Sequence, residues 1–562
     1  MPRSRHFLVE FLRLTKLFWC SHQKLKTRGT VFLLLALTLM QNAMAVIMTQ
    51  WSANFFNALE QHSMHDLMVQ VGMLSILFVT DMCLTGSHLV TKRNLMIHWR
   101  DWMTEYVYSR WMKDGRHYLI SHLPGDHDNP DGRIAEDCRV ATESAVSMGH
   151  SLFYSIILLV SFTQVLWSRS GVVILDLGFA HIPIYGYLVW IAIIYSASAS
   201  WLGWLVSLPL THATNARQSA EADFRASLLE AQENSQAIAL SHAGSYERNL
   251  FRELFGKLRS VFDKQTAGWR NIMMFGTGYS VLNKVFPILI SAPRYITGKI
   301  TLGTLMQSAQ AFQHMVSSLS WPVNNAGTIA EWRASVERIL SLLQVMDTVD
   351  EELAKPDHWI QVKTSDRPVL AFRNLSIAKY EGEVLVENIN MEIGQGEHVL
   401  ITGNTYTGAK LFRAIARIRP WGSGVIELPN PGRLLFMPPR PHLPTGTLRN
   451  AICFPSSRRV FPQEQLEQAL RLVGLENLID QLDKKDHWLN SLARGEQQLL
   501  GMVRLLLNRP QWIFLQESFD SLDLHGEERM VRLICEQLPD ATLLTISHKP
   551  DNTAFYSRQL AL

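Results

Sequence analysis

The sequence predicts a membrane-embedded half with six transmembrane helices, followed by a soluble α/β domain. Two observations carry this prediction. Apolar runs of about 20 residues, the length that crosses a ~30 Å hydrocarbon layer as a helix, occur repeatedly before Pro322. After Pro322 the hydrophobicity falls, and from Val369 short strand-like runs replace the long apolar ones.

The composition favours a membrane protein over a soluble one. Of the 562 residues, 47% are hydrophobic and only 18% are charged, against about 25% charged in ordinary soluble proteins. The 16 Trp and 25 Phe suit aromatic belts at the membrane interfaces. A net charge of +3 is too balanced to indicate nucleic acid as a partner. The five cysteines form no C-x-x-C pair, so neither a metal site nor a disulfide framework is predicted.

The transmembrane half begins with its clearest span, the apolar run from Thr30 to Thr49. The six predicted spans cover residues 30–49, 67–90, 146–167, 184–208, 271–292 and 302–322. Several contain Ser, Gln and Gly, which suits helices that line a water-filled cavity. We expect the first run to remain as an anchor, since it is too long for a signal peptide and no small-residue cleavage site follows.

The distribution of Lys and Arg predicts the orientation in the membrane. The segment before the first span carries seven basic residues against Glu10, whereas residues 51–66 contain none. By the positive-inside rule, both termini and the long connections at 92–145 and 210–270 are cytoplasmic. In Glu221–Leu240 apolar residues recur at spacings of three and four, which predicts helices that continue past the bilayer.

The second half contains a glycine loop between a strand and a helix. We predict a transmembrane domain at residues 1–330, a linker at 331–367 that begins as helix, and an α/β domain at 368–562. The run His398–Thr402 leads into G-x-x-x-x-G, a layout that directs backbone N–H groups towards phosphates at a helix N-terminus. The predicted nucleotide-binding positions are Gly403, Asn404, Thr405, Tyr406, Thr407, Gly408, Ala409, Lys410 and Leu411. Tyr380 is a candidate for stacking on a base, with an ordinary half-buried tyrosine as the alternative.

The order of motifs downstream resembles the ATP-binding cassette (ABC) fold. That fold places a signature loop, a helix, an apolar strand ending in Asp-Glu, an Asp-containing loop and a switch His in this order. The matching positions are Gly495, Glu496 and Gln497 in the signature, Trp512–Leu515 in the strand, Glu517 as catalytic base, Asp523 in the Asp loop and His548 as the switch. The resemblance implies ATP as the ligand, with Mg²⁺.

Segments in both halves resemble the SbmA/BacA–YddA group of bacterial ABC proteins. They are Trp51–Gln61, Ile97–Asp137, Glu221–Arg225, Phe436–Ile452 and Arg509–Leu515. The resemblance implies a bacterial inner-membrane transporter with the cassette in the cytoplasm and six spans per chain. It also implies two chains per transporter, either two copies or one copy with an intact ABC half-transporter. Peptides, cobalamin or other bulky solutes are the implied cargo.

The positions that handle phosphate and Mg²⁺ depart from the pattern of this fold. Ala409 stands where the loop Lys binds phosphate, and Lys410 stands where a hydroxyl binds Mg²⁺. Lys410 is rotated by about 100° from the usual Lys position on the helix. Pro439 replaces a Gln near the metal, and Gln516 replaces the strand Asp with an amide that binds Mg²⁺ weakly. We therefore predict weak Mg²⁺ binding and little or no ATPase activity.

The signature is altered as well. Its Ser, which addresses the γ-phosphate in the partner chain, is Ala493, followed by Arg494. Three interpretations of the cassette stay open: a scaffold or regulatory platform, a domain that binds nucleotide without useful turnover, and a working ATPase with unusual ligands. For the whole protein three functions stay open. It is a transporter of this group with doubtful ATP hydrolysis, a fully ATP-driven transporter, or a non-transporting platform that senses nucleotide or docks a partner.

Ionisable residues within the spans are the candidates for transport without ATP hydrolysis. Asp81 in the second span and Lys284 in the fifth are candidates for proton titration or cargo contact. The alternative is that Asp81 and Lys284 pair with each other or with water to satisfy buried charge. His88, His150 and His314 lie within or at the ends of spans, and an interior hydrogen-bonded role is the simpler interpretation for them.

Overall fold

The structure is a computed structural model that describes residues 3–20, 24–121, 129–176, 181–353, 359–379, 383–403, 405–418, 421–429, 433–455, 461–547 and 554–561. The chain forms two compact units. The first comprises Met1–Tyr108 and Asn129–Ser341, and the second comprises Ser109–Asp128 and Leu342–Leu562. The division at Ser341 lies inside the segment 331–367 that the sequence suggests as a linker.

Long helices make up the first half of the chain. In order they are α1 (Arg3–Trp19), α2 (Lys24–Glu60), α3 (Met64–Met112), α4 (Arg116–Ile120), α5 (Pro130–Gly132), α6 (Cys138–Ser170), α7 (Tyr187–Glu233), α8 (Ser235–Leu240), α9 (Gly244–Ile296), α10 (Leu302–Leu319), α11 (Trp321–Asn324) and α12 (Ala326–Leu353). A π-helical turn, Arg133–Asp137, leads into α6. An antiparallel hairpin of β1 (Val172–Asp176) and β2 (His181–Tyr185) connects α6 to α7.

Several helices are much longer than a bilayer is thick. The helices α3, α7 and α9 contain 49, 47 and 53 residues. At a rise of 1.5 Å per residue each is about 70–80 Å long, more than twice the hydrocarbon thickness of ~30 Å. The segment predicted to continue past the bilayer, Glu221–Leu240, is helical in α7 and α8 with a break at Asn234. These helices therefore extend well beyond their apolar portions.

The sixth predicted span differs from the other five. In the part of the chain that the structure describes, five helical stretches are long and apolar enough to cross a membrane: α2, α3 with α4, α5 with α6, α7, and α9. The span predicted at 302–322 corresponds to α10, which is 18 residues long and more polar. Its amides are satisfied by α2, because Gln307 Nε2 donates to Gln50 Oε1 at 2.9 Å and Gln310 Nε2 donates to Ser52 Oγ at 2.9 Å. Helix α10 is thus an interior helix of the bundle.

A glycine allows α10 to approach α2 closely. The Gly303 N–H donates to Asn57 Oδ1 at 2.9 Å, and a Cβ at this position would overlap both that oxygen and the Ala53 carbonyl oxygen. We expect Gly303→Ala to destabilise the first unit by about 1–3 kcal/mol, because backbone atoms must move apart. Thermal unfolding of the full-length protein in detergent, followed by tryptophan fluorescence, measures this loss.

The matched control is Gly256→Ala on α9. No atom lies within 4 Å of a Cβ at Gly256 among the described residues, so we expect its unfolding midpoint to equal that of the parent protein or to rise slightly, because alanine is favoured over glycine in a helix interior by about 1 kcal/mol. Equal midpoints for the two variants would contradict the proposed role of Gly303.

Among the described residues, the second unit contains a five-stranded sheet, a four-stranded sheet and a two-stranded sheet, together with six α-helices that follow α12. The strands are β3 (Gln361–Ser365), β4 (Val369–Ala378), β5 (Val384–Gly394), β6 (His398–Thr402), β7 (Gly422–Pro429), β8 (Leu434–Met437), β9 (Gly446–Thr447), β10 (Lys485–Asp486), β11 (Trp512–Gln516), β12 (Thr542–Ile546) and β13 (Arg558–Ala561). The helices are α13 (Thr405–Ile415), α14 (Leu448–Cys453), α15 (Gln463–Val473), α16 (Trp488–Ser491), α17 (Arg494–Asn508) and α18 (Leu524–Gln537).

The parallel sheet sets the position of the candidate site. Its order is β13-β6-β12-β11-β8, with every pair parallel. The residues Trp512–Leu515 of β11 and all of β12 are buried, as expected for strands covered on both faces. The short strand-like runs that the sequence predicts from Val369 onwards are confirmed as β4 and β5, and the run His398–Thr402 is confirmed as β6. Parallel strands bring the carboxyl ends of β6, β11 and β12 to one edge of the sheet.

A short segment from the first half of the chain packs within the second unit. It contains Gly115, at a φ of +72°, and α4. The guanidinium of Arg116 pairs with the Asp350 carboxylate at 2.7 Å. The Arg413 guanidinium carbon of α13 lies 5.9 Å from the centroid of the Tyr118 ring. This segment therefore contacts the helix that follows the glycine loop.

Candidate functional site

The glycine loop has the backbone layout that the sequence predicts. Strand β6 ends at Thr402, Gly403 has a φ of +103°, and α13 begins at Thr405. L-residues rarely adopt such a φ, so Gly403 is required for this turn. A Cβ at Gly408 would lie 3.0 Å from Ile546 Cδ1, which shows how closely α13 packs on β12. Asn404 lies outside the described residues. The first N–H groups of α13 and its helix dipole form an end that favours anions.

Lys410 is the unusual residue of this loop. Its side chain is fully buried, at 0% exposure, and Nζ has no hydrogen-bond partner among the described residues. Nζ lies 3.4 Å from the centroid of the Tyr406 ring, one helical turn earlier. Tyr406 itself is 57% exposed. The neighbouring Ala409 is buried, so no cation occupies the usual lysine position of the loop.

The end of β11 carries the predicted catalytic base. Gln516 is the last residue of β11 and is half-buried. Glu517 follows with a φ of +44°, and its N–H donates to the Ile546 carbonyl at 3.0 Å. A positive φ at a residue other than glycine is uncommon and strained. The carboxylate lines a small pocket together with Asp520, Glu527 and Ser547. His548 and Tyr380, the other predicted ligand contacts, lie outside the described residues.

The signature residues support their own loop. Ala493 and Arg494 are exposed at the start of α17, and Glu496 Oε2 accepts a hydrogen bond from the Ala493 N–H at 2.9 Å. Gln497 is buried and donates to the carbonyls of Leu489 in α16 and of Leu492 in the loop that follows, each at 2.9 Å. A Cβ on Gly495 would lie 3.3 Å from a Leu522 methyl group. These contacts give the matched signature residues a local structural role.

Gln498 joins three parts of the site, and sequence analysis missed it. Its Nε2 donates to the Pro439 carbonyl at 3.0 Å and also to the Asp520 carboxylate. Its Oε1 accepts from the Ser521 N–H at 3.2 Å. In the sequence the only signal for Gln498 was a second glutamine directly after the signature, and its burial appears only in the structure.

Asp523, the predicted Asp-loop residue, caps α18 by accepting from the Gly526 N–H at 2.9 Å.

These residues do not fit a magnesium ion. Lys410 brings a cation to the position of a metal ligand, Gln516 offers only an amide, and the Pro439 carbonyl already accepts from Gln498. Mg²⁺ prefers carboxylate oxygens and octahedral geometry. The described residues contain no group of three or more His, Cys, Asp or Glu side chains that could hold a metal ion. A phosphate group fits better, because the helix end and the unpaired ammonium both favour an anion.

A cavity of about 730 Å³, lined by both apolar and polar side chains, lies within the first unit. Its lining residues come from α2, α3, α6 and α10, and they are Gln41, Met44, Ala45, Met48, Thr49, Trp51, Ser52, Asp81, Thr85, His88, His150, Tyr154, Gln310 and His314. Asp81, a predicted transport residue, is among them. Lys284 is exposed on α9 and is not part of this lining. No ion pair joins Asp81 to Lys284, both of which the structure describes, so the predicted pairing is absent here.

Two cavity histidines pair with each other. His88 Nε2 and His150 Nε2 lie 2.7 Å apart, which requires one ring to donate its N–H and the other to accept. His150 also stacks against Tyr154, with 6.4 Å between ring centroids, and His314 stacks on Phe162 at 4.3 Å. His88 and His150 are therefore hydrogen-bonded to each other, as the simpler interpretation of the sequence expects, and both also line the cavity.

Comparisons with known proteins agree with this architecture. Residues 14–294, half of the chain, match the family described as ABC transporter transmembrane region 2. The inner membrane ABC transporter ATP-binding protein YddA of Escherichia coli is 28% identical over 97% of this chain and 96% of its own length. A human lysosomal cobalamin transporter is 24% identical over 99% of this chain and 95% of its own length.

The fold also agrees with a solved structure. A bacterial Atm1-family ABC exporter with ATP bound superposes with a TM-score of 0.70 at 16% identity, covering 95% of this chain and 93% of the exporter. That likeness confirms the predicted fold class, a helical membrane half of the ABC exporter type followed by an α/β cassette. The chain belongs to the family of ABC transporters that carry transmembrane region 2.

Proposed function

We propose that this protein transports bulky hydrophilic solutes across a bacterial inner membrane as a dimer of two copies, and that its cassette hydrolyses ATP weakly or not at all. The cavity of about 730 Å³ carries the transport part of the proposal. Its volume falls in the range of ligand sites, roughly 300–1,000 Å³, and its Gln, Asp and His side chains suit polar cargo. Peptides and cobalamin are the proposed cargo classes, and a human relative is named a cobalamin transporter. Both termini and the cassette are proposed to lie in the cytoplasm.

The phosphate loop carries the second part of the proposal. Phosphoryl transfer depends on positioned charge around the β- and γ-phosphates. In this chain Ala409 replaces the loop lysine, and the residues at the metal positions do not fit Mg²⁺. Glu517 keeps the position of the base, but a base alone supplies little without a polarised phosphate. Transport then requires another source of energy, and an ion gradient acting on cavity residues is the proposed one.

Uptake into proteoliposomes tests the role of the cavity. We expect Asp81→Asn to lower uptake of a fluorescent peptide or of cobalamin by about tenfold or more, because a carboxylate inside a membrane cavity is costly and is kept for ion or cargo contact. Lys284→Gln is the control, since Lys284 does not line the cavity, and we expect it to transport at the rate of the parent protein. Equal loss in both variants would contradict the role given to the cavity.

The same vesicles test the source of energy. Uptake is compared with Mg·ATP, with an imposed proton gradient, and with neither. We expect the gradient to drive uptake and Mg·ATP to add nothing. Uptake driven by Mg·ATP alone would overturn the proposal and favour a fully ATP-driven transporter. A lack of uptake under every condition and with either cargo would favour a membrane platform.

A further inference from the structure

We infer that the glycine loop binds a polyphosphate group without Mg²⁺, and that the Lys410 ammonium takes the place of the metal cation. The ligand class is a nucleoside di- or triphosphate in its metal-free form. The inference deepens the proposed function and rests on it, because it assumes a cassette that keeps its fold without catalytic turnover. It follows from the burial of Lys410, its place on α13 and the residues that surround it.

The first observation is a buried cation without a hydrogen bond. Lysines are almost never fully buried unless they are paired. The Lys410 ammonium has three N–H donors, yet none of them has an acceptor among the described residues. Nζ contacts the face of the Tyr406 ring, which attracts a cation but accepts no conventional hydrogen bond. An anion with several oxygens would satisfy both the charge and the donors.

The second observation is the place of this cation beside a helix N-terminus. Helix α13 has 11 residues and follows the turn at Gly403. Its first N–H groups and its dipole favour an anion. Lys410 stands where the sequence pattern of the fold places the hydroxyl that binds Mg²⁺. The Lys410 ammonium therefore supplies a cation from the helix itself, at the position where a hydroxyl would otherwise bind Mg²⁺ from solution.

The third observation is that the substituted residues at the metal positions, Gln516 and Pro439, supply neither a metal ligand nor a negative charge to Lys410. An Asp at position 516 would be an acidic group in the metal set, whereas Gln516 carries no charge to attract Mg²⁺ or to neutralise Lys410. The Pro439 carbonyl is occupied by Gln498 at 3.0 Å. A cassette kept only as a scaffold would gain stability from an apolar residue at 410, because a buried charge is costly. Because the buried Lys410 cation is kept while the side chains that would bind a metal are replaced, the site favours an anion that carries no metal.

Tyr406 has a defined part in this arrangement. Its ring lies over Nζ of Lys410 and occupies a loop position where the fold usually has glycine. A phosphate oxygen that approaches Nζ from the side of this ring must displace the ring. We therefore expect Tyr406→Gly to strengthen metal-free binding, since the ammonium becomes accessible without displacement of the ring.

Isothermal titration calorimetry on the full-length protein in lipid nanodiscs tests the inference. ATP is titrated once in excess EDTA and once in excess MgCl₂. We expect binding in EDTA and at least threefold weaker binding with Mg²⁺, because the metal reduces the charge of ATP and is repelled by Lys410. Lys410→Met should weaken binding in EDTA by about tenfold, whereas the control Lys363→Met, at an exposed position on β3, should not change it.

The outcomes separate this inference from the proposed function. No binding in either buffer, binding that requires Mg²⁺, or equal binding by Lys410→Met and the parent protein would overturn the inference while leaving transport without hydrolysis intact. Hydrolysis that depends on Glu517 would instead overturn the proposed function. If Lys410→Met does not fold, the ratio of affinities in EDTA and MgCl₂ and the Tyr406→Gly variant still decide the question, and weaker binding by Tyr406→Gly would count against it.

Discussion

The parent protein in lipid nanodiscs is expected to hydrolyse Mg·ATP no faster than its Glu517→Gln variant. Glu517 lines its pocket at the end of β11, but Ala409 replaces the loop lysine, and the side chains that would bind Mg²⁺ are missing. Removing a single electrostatic partner of a transition state typically costs about 2.7–4 kcal/mol of barrier. Several such losses leave little for Glu517 to act on, even when their effects do not add. Phosphate release measured over hours gives the comparison.

Restoring the missing groups should produce the largest change in activity. The restored variant carries Ala409→Lys, Lys410→Ser, Pro439→Gln, Ala493→Ser and Gln516→Asp. We expect hydrolysis to rise by at least about 10²-fold, the effect of one electrostatic partner. Each single substitution should do much less, because the phosphate clamp and the metal set act as a unit.

The control for restoration is the same variant with Glu517→Gln added. Its activity should fall to that of the parent protein, which would show that Glu517 is the base of the restored site. Hydrolysis by the parent protein that disappears in Glu517→Gln would contradict the prediction, and would mean that other ligands serve the phosphates.

The largest loss of stability in the cassette is expected for Arg504→Met. Arg504 on α17 is 9% exposed, and burial lowers the pKa of its guanidinium to about 10, so it remains charged at neutral pH. Its Nε donates to the Ala451 carbonyl at 3.0 Å, and one Nη donates to the His442 carbonyl at 2.7 Å. Methionine removes these donors and leaves two carbonyls unpaired, at about 1–3 kcal/mol each. We expect a loss of about 2–4 kcal/mol.

Urea-dependent proteolysis of the cassette within the full-length protein measures this loss. Arg504→Lys should lose roughly half as much, because an ammonium cannot reproduce the fork of the guanidinium. The control Arg471→Ala removes an exposed pair with Glu467 on α15, which is worth about 0.3–0.5 kcal/mol. Equal urea midpoints for Arg504→Met and Arg471→Ala would contradict the structural role of Arg504.

The sequence by itself determined the features that depend on local pattern. The length of an apolar run decides whether a helix can cross a bilayer, and five of the predicted spans lie in such helices. A strand, a glycine loop and a helix in direct succession determined the backbone around Gly403. The changed residues at Ala409, Lys410 and Gln516 could likewise be identified, because their places in the motif are set by spacing.

Only the tertiary structure decided which side chains meet. His88 and His150 are 62 positions apart, on α3 and α6, and they pair because the fold brings these two residues together. Lys284 was predicted from its span alone, and the packing of α9 directs it away from the cavity. The burial of Lys410 under Tyr406 and the bridging role of Gln498 could not be read from spacing. Side-chain direction depends on the neighbours that packing supplies, and those neighbours come from distant parts of the chain.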